Sequence, residues 1–111
     1  MVAADFASTL GVKVACAERA RIGGDCLWTG CVPSKALLAS AKAAHTMRTG
    51  DAYGLAAADP DVDTARVWAR IHAIQDEIAA GDDSAERFRV LGADVLEGAA
   101  TLVSGTRVRV G

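Results

Sequence analysis

Two cysteines, Cys26 and Cys31, are separated by four residues in the segment GGDCLWTGCVPSKALL, residues 23–38. Thiols at this spacing suit reversible dithiol chemistry or half of a metal site. A disulfide brings its Cα atoms to about 4.4–6.8 Å, closer than this spacing gives along an ideal helix, so redox chemistry requires the chain to bend before the helix. Gly23, Gly24 and Gly30 supply backbone that can bend and admit a flat ligand closely. Pro33 suits the first turn of a helix beginning near Cys31, whose dipole and free N–H groups favour a thiolate there. The physical expectation is a polarised dithiol of lowered pKa. Zinc would ordinarily need four ligands, of which this pair, with no histidine nearby, supplies two.

The flanking residues predict the elements that position this pair. Ala-rich Val2 to Leu10 reads as a short helix stopped at Gly11. Val12 to Ala17 is a nearly continuous apolar run closed by Glu18, which predicts a buried parallel strand. Arg19 to Gly30 reads as a loop, after which Pro33 sits in a helix's first turn and Ala36 to Met47 continues as a strong helix former. Residues 48–61 form a connecting loop with Gly50, Gly54 and Pro60. Val67, Ile71, Ile74 and Ile78 make an apolar stripe on a helix that Gly81 interrupts. Asp83 or Ser84 caps a second short helix ending at Gly92. Beyond Asp94 the pattern turns to β: Val95 and Leu96, then Thr101 to Val103, then Val108 and Val110 around a Ser104-Gly105 turn.

Composition narrows the function classes. At 111 residues the chain is one domain at most, and its 51% hydrophobic but 5% aromatic make-up predicts a core of Ala, Val and Leu. Twelve basic against fourteen acidic residues give a net charge of −2, with no basic block to neutralise a row of phosphates, so nucleic acid is not an expected partner. No apolar run approaches the roughly 20 residues that span a bilayer, and no signal-peptide pattern opens the sequence, which predicts a cytoplasmic protein away from membranes. Three cysteines without export signals point to redox or metal chemistry rather than a structural disulfide framework. Cys16, in the apolar run, reads as a small buried hydrophobe. His45 and His72 sit on helical stretches without triad-like neighbours and are not candidates for catalysis.

Residues 23–38 resemble the GGTCLNVGCIPSK-type redox motif of the pyridine nucleotide–disulfide oxidoreductases, the family of dihydrolipoamide dehydrogenase and mercuric reductase. The resemblance extends more weakly over the whole chain, through the helix and acid-ended strand before the motif and the helix-then-β order after it. It implies an α/β fold: a partial doubly wound, Rossmann-like FAD-binding domain over residues 1–111, lacking its first strand and bearing a terminal β-hairpin region. The implied cofactor is FAD, with NADPH or NADH as co-substrate of the full-length parent, and electrons passing from NAD(P)H through FAD to a Cys26–Cys31 disulfide and on to an acceptor. That acceptor is a small-molecule disulfide or a metal ion, and the full-length parent is a homodimer.

Carried over by position, the resemblance makes Cys31 the thiol against the flavin and Cys26 the thiol that exchanges with substrate. Lys35 would stabilise the reduced flavin by its charge. Glu18 would accept hydrogen bonds from the adenosine ribose. Main-chain groups of Gly24, Asp25 and Cys26 would line the pyrophosphate and flavin, and Ala100, in Gly98-Ala99-Ala100, would touch adenine. Asp25 replaces the usual threonine, and Trp28-Thr29 the common Asn-Val, which leaves the substrate undefined. Ser34-Lys35 sides with the lipoamide dehydrogenase and mercuric reductase branch without separating those activities. The glycine-rich dinucleotide turn, the NAD(P)-binding domain and the dimerisation domain are absent from these residues. The alternative reading is therefore a non-catalytic truncated fragment that binds FAD poorly.

Overall fold

In the computed structural model, which describes residues 2–111, the Ala-rich opening forms helix α1 (Val2–Thr9), and Gly11 turns the chain out of it at φ +75°. The following apolar run forms strand β1 (Val14–Glu18). Its partner is β2 (Ala93–Glu97), parallel and in register from Val14 opposite Ala93 to Glu18 opposite Glu97. Parallel pairing agrees with the apolar run, but full burial does not. Val14, Cys16 and Glu18 are half-buried while Ala15 and Ala17 are exposed, because the sheet has two strands and covers one face.

Residues up to Gly24, together with Ile78–Gly111, form one compact unit, and Asp25–Glu77 form another. In the first, α1 packs on β1 and β2, and α5 (Ala85–Val90) packs on β2. Phe88 and Ala93 are buried there. Ser84 is the N-cap of α5, its hydroxyl accepting the Arg87 N–H at 3.2 Å. The Arg87 guanidinium reaches Asp5 of α1 at 3.4 Å, tying the two helices that flank the strands. The chain ends in an antiparallel hairpin, β3 (Ala100–Ser104) and β4 (Arg107–Val110), with Leu102 opposite Val108. The turn falls at Gly105-Thr106, where the Thr106 N–H donates to Ser104 Oγ.

The second unit is helical. Its elements are α2 (Gly24–Trp28, of which Asp25–Trp28 lie here), α3 (Cys31–Arg48), a 3₁₀ turn over Gly50–Tyr53, and most of α4 (Thr64–Ala80). The stripe predicted on α4 is present: Ile71 is fully buried, and Val67, Ile74 and Ile78 are half-buried. Arg70 of α4 donates to the Ala36 carbonyl of α3 at 3.2 Å. The expected loop over Arg19–Gly30 is instead interrupted by α2, whereas the helix expected to begin near Cys31 and continue through Ala36–Met47 is α3, running from Cys31 to Arg48. Pro33 lies within the first turn, where its missing N–H has no intrahelical partner to lose. Among the described residues no helix is long and apolar enough to cross a membrane.

Ser84→Ala removes the one side-chain cap of α5 and should lower stability by about 1 kcal/mol, read as an earlier urea midpoint with an unchanged slope. An unchanged midpoint would show that the α5 N-terminus is held by other contacts.

Candidate redox-disulfide site

The bend that two nearby cysteines require is made by ending one helix and starting another. The Thr29 N–H donates to the Asp25 carbonyl at 2.9 Å, closing the last turn of α2, and the Ser34 N–H donates to the Gly30 carbonyl at 3.2 Å, opening α3. Five steps along one uninterrupted helix would raise the chain by about 7.5 Å, but across this break the Cα atoms of Cys26 and Cys31 lie 4.9 Å apart and the two residues form a disulfide.

Gly30 makes the break possible by its lack of bulk. It sits at φ −115° as the N-cap of α3, so a left-handed backbone is not the reason for glycine. A Cβ there would fall 2.8 Å from the Asp25 carbonyl oxygen and 3.3 Å from the Cys26 Cα. Gly23 and Gly24 do need glycine's backbone freedom, at φ +107° and +61°.

Cys26 is exposed, whereas Cys31, the first residue of α3, is half-buried. No side chain caps that helix start. Lys35 is exposed on α3 one turn after Cys31, the spacing that sets two residues on one face. Asp25 is exposed in the first turn of α2. Cys16 is a free, half-buried thiol in β1 rather than the fully buried one expected.

The remaining predicted residues belong to the other unit. Glu18 ends β1, where one carboxylate oxygen accepts the Ala20 N–H at 2.7 Å and the main-chain carbonyl accepts the Gly98 N–H at 2.9 Å. With Arg19, Ile22, Val95 and Gly98 it lines a depression of about 220 Å³ at the ends of the two parallel strands. Gly24 faces open space, with no atom within 4 Å of where a Cβ would stand. Ala100 is exposed and pairs with Val110 in the hairpin.

Gln75 was not predicted to matter. It is buried on α4, 6% exposed, and its side-chain amide donates to the carbonyls of Leu27 at 2.8 Å and Trp28 at 3.0 Å. Both acceptors lie between the two cysteines. The one signal in the sequence is a polar residue one position beyond Ile74 and four beyond Ile71, inside the edge of the apolar stripe.

No family model matches the chain. It is 44% identical over 80 residues to the dihydrolipoyl dehydrogenase of Zymomonas mobilis, covering 72% of this chain and 17% of that protein. The dihydrolipoyl dehydrogenase of Pseudomonas aeruginosa is 37% identical over 113 residues, covering 98% of this chain and 24% of that one. Among solved structures, LpdA from Mycobacterium tuberculosis superposes with a TM-score of 0.69 at 22% identity, over 95% of this chain and 22% of that one. The flavoprotein disulfide reductase RclA from Escherichia coli gives a TM-score of 0.67 at 21% identity, over 98% of this chain and 22% of that one. The structural likenesses establish a shared mixed α/β fold with flavoprotein disulfide reductases. With the sequence relatives and the paired cysteines, they show that the chain belongs to the pyridine nucleotide–disulfide oxidoreductase family. It spans about a fifth of the length of the relatives it matches.

Thiol counting on the denatured chain should give one free thiol when oxidised and three after reduction, with peptide mapping placing Cys26 and Cys31 in the bridge; a bridge containing Cys16 would contradict the geometry. Gly30→Ala should force α2 and α3 apart and lower the oxidised fraction at a fixed glutathione ratio. Retention of the wild-type fraction would show that the turn absorbs a Cβ.

Proposed function

We propose that this chain is the redox-disulfide segment of a dihydrolipoyl dehydrogenase-like flavoenzyme, with residues 1–111 forming part of a doubly wound FAD-binding domain. The observation behind this reading is the Cys26–Cys31 disulfide, set across a helix break with one sulfur residue exposed and the other at a helix N-terminus. The names of the relatives favour a dithiol such as dihydrolipoamide over a metal ion as the exchanging substrate. In the whole protein, NADH or NADPH would be the co-substrate, the assembly a homodimer and the location the cytoplasm.

The chain's residues suit FAD. Gly24 leaves open space where any side chain would project, and Glu18 offers a carboxylate beside the depression at the strand ends. When bound, FAD supplies the two-electron link between a nicotinamide and the disulfide. Glu18 would hold the ribose, the main chain of Gly24, Asp25 and Cys26 the pyrophosphate and flavin, and Ala100 the adenine. Lys35, one turn from Cys31, would place a cation where negative charge gathers.

Thiol exchange follows from the two exposures. A substrate thiolate attacks exposed Cys26, forming a mixed disulfide as the Cys26–Cys31 bond breaks, and Cys31 leaves as a thiolate favoured by the start of α3. The second substrate thiol then displaces Cys26. The substrate becomes a cyclic disulfide, its two electrons reduce the Cys26–Cys31 bond, and its two protons pass to the resulting thiols or to solvent.

Oxidised lipoamide should re-form the Cys26–Cys31 bridge in the reduced chain and be released as dihydrolipoamide, one per chain, and Cys31→Ser should trap the mixed disulfide on Cys26. Faster trapping on Cys31 in Cys26→Ser would reverse the two roles, and no exchange in the wild type would remove the reading. Glu18→Ala should weaken FAD binding roughly ten-fold, the loss expected for a charged hydrogen bond. Flavin fluorescence titration measures it, and equal affinities would take Glu18 out of the site.

A further inference from the structure

Helix α2 has five residues, too few for its last carbonyls to find partners within it. Leu27 and Trp28 contribute two of these carbonyls, and they lie between the cysteines at the point where the chain must turn. Both accept hydrogen bonds from a single group, the side-chain amide of Gln75, at 2.8 and 3.0 Å. Gln75 comes from α4, 48 residues further along the chain than Leu27, and it is buried to 6% exposure beside fully buried Leu27 and Ile71 positions of the same unit. Its neighbour in the stripe, Ile71, shows that an apolar residue satisfies packing at such a depth. The amide does something packing does not: it fixes the orientation of two consecutive peptide groups.

From this we infer that Gln75 is a positioning residue of the redox pair, holding the end of α2 so that the Cys26 and Cys31 thiols stay within bonding reach once the disulfide is open. This deepens the functional reading above and rests on it. While the disulfide is closed, the covalent bond restrains the turn. Once it is reduced, the turn is held by backbone bonds and by Gln75. Loss of the amide lets the dithiol form spread over more conformations while the disulfide form stays confined, and the equilibrium moves toward the dithiol. The reaction is balanced by glutathione: two thiols of the chain give two electrons and two protons to glutathione disulfide, yielding the Cys26–Cys31 bond and two molecules of glutathione.

Gln75→Met keeps the length and bulk of the side chain and removes both donors. The whole chain and this variant are equilibrated across glutathione ratios, quenched by alkylation, and the oxidised fraction of the pair is read by mass. The expected result is a ten-fold fall in the equilibrium constant for forming the bridge, equal to about 30 mV for two electrons, with helical circular dichroism retained. A purely structural role would lower the stability of both redox forms equally and leave that constant where it was. A wild-type constant in a folded Gln75→Met chain therefore overturns the inference while leaving the redox reading intact. A wild-type chain with no reversible Cys26–Cys31 bridge overturns that reading and the inference with it. Should Gln75→Met not fold, hydrogen exchange in the wild type decides: the Gln75 amide protons should remain protected after reduction, and fast exchange in the dithiol form overturns the proposal.

Discussion

Cys26 and Cys31 can meet only if helical structure is broken between them and resumed at once, and the rest of the second unit is arranged around that break. Thr29 and Gly30 alone separate α2 from α3. Within so short a connection the Asp25 carbonyl closes one helix while lying where a Cβ of residue 30 would go. The disulfide is thus a property of backbone geometry before it is one of sulfur chemistry. A longer connection would relax the steric demand on residue 30 but would give up the 4.9 Å approach of the two Cα atoms.

Breaking a helix in a buried setting leaves carbonyls without donors, and an unsatisfied buried carbonyl costs about 1–3 kcal/mol. The structure meets that cost with a polar side chain from a distant helix rather than with water-facing residues. This explains a glutamine on the core side of α4, among residues otherwise selected for apolar bulk. Arg70, also on α4, donates to the Ala36 carbonyl inside α3, so α4 addresses both helices of the redox segment through their main chains. The surface pairs Arg48–Asp59 and Arg89–Glu86 contribute little by comparison, because their side chains stand largely in water.

Local patterns showed much of this in the sequence. The Ala-rich run with its glycine stop, the Val67-to-Ile78 stripe, the Ser84 cap and the final hairpin all rest on contacts between near neighbours, which is why periodicity and turn residues reveal them. The cysteine spacing and the nearby proline located the dithiol at a helix start. Three features escaped. The five-residue α2 is too short to show a period. The half-exposure of β1 depends on how many strands and helices cover it, which no run of Val and Ala can encode. Gln75 acts across 47 and 48 residues of chain, and a single polar residue at the margin of a stripe looks like any solvated one.

The hold that α4 exerts on the cysteine loop grips peptide oxygens and ignores which side chains those peptides bear. Architecture and chemical tuning are thereby uncoupled. The Gln75 hydrogen bonds reach the main chain of Leu27 and Trp28, so they do not themselves depend on the identity of the side chains at residues 28 and 29, tryptophan and threonine here. The constraint on change in this loop therefore falls on Gly30, which leaves no room for a Cβ, and on Gln75, which serves main chain rather than any particular side chain.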